Sequence, residues 1–165
     1  MKGAKSSVAI SAELKAFLES GVSVVVGTRD AELAPEITRA WGLLVSKDRK
    51  SLSLCVPLAT SQKTLDNLAG NGQIAVCCSL PTSYRTVQLK GQCIKTTDPR
   101  SADLAAVEGH REAFSRLNVR IGFARERTET FWRKELETSP VLVKLRVIPE
   151  QVFDQTPGPD AGSPL

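Results

Sequence analysis

Thr60-Ser61-Gln62-Lys63 opens a helical segment, Thr64 to Leu68, directly after a strand-like run from Ser51 to Pro57. The first N–H groups of a helix have no partner inside it, and the positive end of the helix dipole lies at the same place. A hydroxyl-rich helix start of this kind is suited to holding an anion. Lys63 sharpens the reading. A cation in a first helical turn opposes the dipole by about 0.3–1 kcal/mol, a cost that a bound anion offsets. Arg39, in the strand-like run Pro35 to Trp41, offers a second cation. From Pro35 to Leu68 the chain thus reads as strand, turn, strand, loop and helix, with a phosphate pocket at the end of a sheet. Plainer readings stand beside this one. Ser61 can serve as a simple helix cap, which is compatible with holding an anion. Arg39 is equally an exposed strand arginine, and Trp41 reads as a core or interface aromatic.

Other kinds of site find little support. The four cysteines, Cys55, Cys77, Cys78 and Cys93, form no CxxC pair, and the single histidine, His110, lies in a separate helical stretch. A zinc site needs four ligands at closer spacing or with more histidines, so no metal is expected. The thiols read as buried and free. His110, among Glu108, Arg111 and Glu112, reads as a surface residue. With no G-x-S-x-G elbow, a serine hydrolase is excluded, and without G-x-G-x-x-G or a Walker motif a dinucleotide fold is too.

The elements that must position the anion site follow from pattern. Ser11 caps a short helix with an apolar face of Leu14, Phe17 and Leu18, which Gly21 ends. Val22 to Thr28 is a β-branched strand, followed by a polar turn and the strand from Pro35. Gly70-Asn71-Gly72 stops the helix after Lys63, and Gln73 to Leu80 is the next strand. Tyr84 to Ile94 follows, with Val87, Leu89, Gly91 and Cys93 on one face. Gly91 there marks a bulge or a close backbone approach. Asp98-Pro99 begins a helical region with an apolar stripe of Leu104, Val107, Phe114 and Leu117. A second helix covers Arg127 to Glu137, with Phe131, Trp132 and Leu136. Val141 to Val147 is the last strand, with Lys144 and Arg146 on its polar face. The end, 156–165, is a Pro/Gly-rich tail outside any regular element, after one domain of residues 1–155. The expected class is mainly β with inserted helices (α+β): a six-stranded antiparallel barrel.

This order of elements, with Pro35 and a basic strand, then Thr60 to Leu68, then Arg85-x-Val87-x-Leu89-x-Gly91, resembles the flavin-binding split β-barrels related to pyridoxamine 5′-phosphate oxidase. The resemblance spans about Leu14 to Gly158. It implies a homodimer that binds FMN at the subunit interface. On this chain it implies that Thr38 and Arg39 contact the flavin phosphate and ring, and that Ser61, Gln62 and Lys63 hold the phosphate. It further implies that Val56 and Pro57 line the ring or ribityl chain. Arg85 and Gln88 would reach a flavin bound chiefly by the partner, and Gln155, with Thr156, would stand at the flavin edge. Many relatives carry arginine where Gln62 stands. The true oxidase ends in a basic segment that grips its substrate's phosphate, whereas nothing after Gln155 is Arg or His. The resemblance therefore implies an FMN-dependent oxidoreductase of another small-molecule substrate. The alternatives are a non-catalytic, stress-associated flavin binder and a haem-handling barrel, for which His110 is the one candidate ligand.

Composition agrees with a single globular domain of 165 residues, 41% hydrophobic and 24% charged. The net charge of +4 comes from mixed signs with no basic run, so nucleic acid is not expected as a partner. No apolar run is long enough to span a bilayer, and no apolar segment follows the basic start, so no membrane association and a cytoplasmic location are expected.

Overall fold

A computed structural model describes residues 7–138 and 140–165; Met1 to Ser6 and Ser139 lie outside the described set, as do the side chains of Trp132, Glu135 and Leu136. Helix α1 (Ala12–Leu18) leads into strands β1 (Ser23–Arg29), β2 (Pro35–Val45) and β3 (Leu52–Pro57). A short turn joins β3 to α2 (Gln62–Asn71), which is followed by β4 (Gln73–Ser79), β5 (Thr86–Thr97), α3 (Ser101–Arg120), α4 (Arg125–Thr138) and β6 (Leu142–Asp154). The strands close into an antiparallel barrel in the order β1-β2-β3-β6-β5-β4. No helix among the described residues is long and apolar enough to cross a membrane.

Alternation along the strands fills the barrel. Val24 and Val26, Leu52 and Leu54, Val76 and Cys78, Val87 and Leu89, and Leu145 and Val147 all face inward into one core. Gly91 belongs to the same inward set. A Cβ there would stand 2.0 Å from the Ile148 carbonyl oxygen, and the β5–β6 register shifts at this point, so both the bulge and the close approach are present.

A second, smaller core lies outside the barrel. Helix α3 crosses the outer face of β2 and β3 and buries Trp41, Cys55, Val107 and Leu142 together. The buried side of α3 is Asp103, Val107, Arg111 and Ser115; of the expected stripe Val107 is buried and Phe114 packs beside it, whereas Leu104 is exposed. Two of these polar residues find partners on the barrel. Lys144 donates to Asp103 over 2.6 Å, and the Arg111 guanidinium lies 5.2 Å from the Trp41 ring centre. Burial alone would raise the Asp103 carboxyl. The bonds from Lys144 and the Arg100 N–H outweigh this and hold it below the usual range.

Some boundaries differ from expectation. Strand β2 runs on to Val45, because a bulge between Trp41 and Leu44 carries it round the barrel. Tyr84 is a turn residue with φ of 60°, and β5 begins at Thr86. Strand β6 continues to Asp154, since Ile148 to Asp154 pair with β5 although Pro149 and Glu150 interrupt the alternation. Residues 156–165 form turns that fold back, with the Leu165 N–H donating to the Val152 carbonyl and Phe153 bridging Pro164. The cysteines are free. Cys55 and Cys78 are buried and Cys77 and Cys93 half-buried, and burial pushes the Cys55 thiol up to about 11.

Gly91→Ala is expected to lower stability by about 3 kcal/mol or more, because a backbone atom, not a movable side chain, occupies the space. A urea unfolding midpoint close to wild type would contradict this.

Candidate functional site

The start of α2 is open to an anion. Ser61 precedes the helix, but its side chain makes no capping bond. Its hydroxyl turns into the barrel mouth and shares a 2.9 Å hydrogen bond with Thr38 Oγ1. The expectation of a hydroxyl cap is thus corrected: Thr38, inward on β2, takes the hydroxyl that would otherwise satisfy the first turn. Thr64, in that same turn, is buried with no hydrogen-bond partner for its Oγ1. Lys63 is half-exposed and 3.7 Å from Glu36. Gln62 donates to Asp66 along the helix. One turn further on, Asn67 donates to Thr28 of β1 and so continues a polar seam between α2 and the barrel.

Arg39 stands elsewhere. It follows Thr38 on β2 and so points to the outer face, while Lys63 meets Glu36 on Thr38's side of the strand. The Arg39 guanidinium lies 5.6–5.7 Å from the ring centres of Trp41, Phe114 and Phe131 and donates to Ser23 Oγ. The structure does not bring Arg39 and Lys63 into one pocket. Val56 is an inward core residue, and Pro57 is buried where β3 meets β6.

The remaining expected residues lie apart from α2. Helix α2 leads into the start of β4, whereas Arg85 and Gln155 stand at the end where β5 begins and β6 finishes. There Arg85 pairs with Glu13 and covers the Phe17 ring, and the Gln155 N–H donates to the Thr86 carbonyl. A strand of seven residues spans about 23 Å, so Lys63 and Arg85 cannot touch one small ligand within a single chain. Gln88 is intermediate. The pairings Arg39–Val25, Val25–Cys77 and Cys77–Gln88 set these residues in one row across the outer face of β2, β1, β4 and β5. Next to it runs a row of small residues, Gly27 and Ala75, beside the exposed Ile37.

His110 was read as a surface residue and is instead a strut between α3 and the barrel. The Gly42 N–H donates to Nδ1 over 2.8 Å, so Nε2 carries the proton and donates to the Val22 carbonyl over 2.7 Å. Both nitrogens are engaged, and a metal or haem iron could use His110 only by breaking one of these bonds. The signal available in the sequence was Gly42, four positions after Thr38 inside an otherwise regular strand. An interior glycine of that kind marks a bulge, whose exposed N–H needs an acceptor.

No protein-family model matches the sequence, and no curated protein matches it. Solved structures do. HupZ from Group A Streptococcus is similar over 93% of this chain and 99% of its own, with a TM-score of 0.52 and 18% identity. A putative pyridoxamine 5′-phosphate oxidase from Lactobacillus delbrueckii is similar over 88% and 93%, at 0.53 and 14%. An FMN-binding protein from Syntrophomonas wolfei is similar over 85% and 82%, at 0.51 and 13%. At these identities the likeness concerns the fold, and the chain has the split-barrel fold of such proteins.

Burial, together with the nearby charges of Arg111 and Arg39, lowers the His110 pKa from its ordinary 6.5, despite the bond to Val22. Between the folded value and 6.5 the unfolded chain binds more protons, so stability rises with pH there. It is expected to be fully present above 6.5 and to fall as the pH drops below it. His110→Gln should flatten that part of the profile; an unchanged slope in the variant's melting temperatures would assign it to another group.

Proposed function

We propose that this protein binds FMN at the start of α2 and works as a homodimeric, flavin-dependent oxidoreductase. The observation that carries the reading is the first turn of α2, which has no side-chain cap and carries the half-exposed Lys63. A phosphate supplies acceptors for the free N–H groups and the ammonium at once. The split-barrel fold supports the same reading.

Bound flavin supplies the redox chemistry. The chain's own part is to anchor and orient it. Lys63 and the backbone from Ser61 to Lys63 hold the phosphate, and the Thr38–Ser61 bond fixes the helix start against β2. Arg85 and Gln155 are too far from α2 in one chain to join the site, and Gln88 lies midway on the outer face, so their contribution comes from a second copy. A homodimer that packs the outer faces of β1 and β4 together brings Gln88 of one chain toward the flavin edge of the other. Val25, Gly27, Ala75 and Cys77 give that face the small, mostly apolar surface such packing needs. Trp41, read as an interface candidate, is 1% exposed beneath α3 and takes no part. A non-catalytic flavin carrier would use the same pocket and differ only in failing to exchange electrons with a donor.

Lys63→Ala is expected to weaken FMN by about tenfold to a hundredfold, the 1.5–3 kcal/mol of a charge-assisted bond, and to leave riboflavin unaffected. Glu36→Gln, which releases Lys63, should tighten FMN a few-fold, in line with the roughly 0.2–1 kcal/mol of an exposed pair. Flavin fluorescence titration reads both; equal FMN affinity in Lys63→Ala and wild type would place the anion elsewhere.

Light scattering should give twice the 17.8 kDa chain mass, and Val25→Glu, at the centre of the outer face, should give the single-chain mass while keeping the wild-type circular dichroism. A wild-type monomer at micromolar concentration would remove the dimer.

A further inference from the structure

Helices α3 and α4 form a hairpin that stands over the outer face of β2 and leaves a crevice of about 230 Å³ against it. Its walls are aromatic. Phe114, Phe123 and Phe131, three of the chain's five phenylalanines, line it. Phe123 and Phe131 are 48% and 56% exposed, an unusual display for large rings that have a helix hairpin to fold into. The polar lining is all of one kind. Arg39 and Arg127 are cationic, Asn118 and Thr128 are neutral, and no carboxylate is among the described residues that line the crevice. Neighbouring arginines on the same helices are neutralised locally: Arg116 pairs with Glu112 and Arg125 with Glu129. Arg127 takes part in no ion pair among the described residues, although Glu126 and Glu129 stand close to it in sequence.

The geometry points to a binding site for a small planar aromatic anion, a ring that carries a carboxylate. The phenylalanine faces supply stacking area for the ring. Arg39, already lying over Phe114 and Phe131, closes the crevice floor with a flat guanidinium that itself stacks on aromatic faces. Arg127 offers its planar fork to the carboxylate, and Asn118 and Thr128 stand beside it. Size agrees. A cavity of about 150 Å³ accepts a benzene ring, so this crevice has room for a fused pair of rings or one ring with its acid group. The site is separate from the start of α2, which lies on the other side of β2, and it does not depend on the flavin reading.

Isothermal titration with naphthoate, its neutral alcohol and cyclohexanecarboxylate tests the assignment on the full chain. Naphthoate is expected to bind, the alcohol about tenfold more weakly for want of the charge-assisted bond, and the non-aromatic acid more weakly than either. Arg127→Gln should erase the preference for the acid over the alcohol, and Phe131→Ala should weaken both ring ligands alike. Both positions are exposed, and unchanged circular dichroism and melting temperature confirm that the variants fold. No heat with millimolar naphthoate, equal affinity for acid and alcohol in the wild type, or an unchanged preference in Arg127→Gln would each overturn the proposal. FMN titration of Arg127→Gln completes the test. Unchanged FMN affinity supports a separate site, and a parallel loss of FMN and naphthoate would assign the crevice to the flavin and overturn it.

Discussion

The bulge at Gly42 and the histidine that answers it hold the outer half of this molecule to the barrel. At a φ of 65° the Gly42 peptide turns its N–H out of the β2 ladder, where it would go unpaired without His110. A buried, unsatisfied N–H costs about 1–3 kcal/mol, so the helix that brings the imidazole is tied to the strand that needs it. The same contact sets the depth of α3. A Cβ at position 42 would lie 2.9 Å from the Val107 nitrogen, so the helix rests directly on glycine backbone. Trp41 is then sealed between His110, Phe114 and Arg111, with edge-on ring contacts at 5.5 and 5.7 Å.

Polar pairs, more than apolar stripes, decide where the helices sit. Helix α2 is seated by Thr38–Ser61 and Asn67–Thr28, and α3 by Asp103–Lys144 and the imidazole. Apolar contact is tolerant of small slides, whereas each of these bonds fails when its partners move by an ångström. The barrel supplies most of the burial, and the seams supply the register.

This division explains what could be read from the residues in advance. The strands were legible because inward valines and leucines alternate at a period of two, and Gly91 announced its close approach. The start of α2 was legible from its hydroxyls and Lys63. Helix α3 was read only in part: Val107 is buried as expected, but the rest of its buried face is Asp103, Arg111 and Ser115, residues that a hydrophobic stripe cannot reveal. His110 was misread because its partners are distant backbone groups, Gly42 on β2 and Val22 just before β1, and only the interior glycine hints at them. The pairing of Lys63 with Arg39 failed on parity, since neighbours on a strand face opposite sides. The expected site residues lie at both barrel ends because α2 enters β4 at one end while β5 begins and β6 finishes at the other.

Closure of the sheet has a consequence for how this molecule can meet another. Strand β1 pairs with both β2 and β4, so the ring is complete and none of the six strands is an edge strand along its whole length. Strand addition, the least selective way for β proteins to associate, is unavailable to it. Every contact with a neighbour must be made through side chains on the convex wall. Such contacts have no built-in register, so single substitutions there can retune or abolish association while the ladder beneath stays intact. The barrel can therefore change its companions without changing its fold.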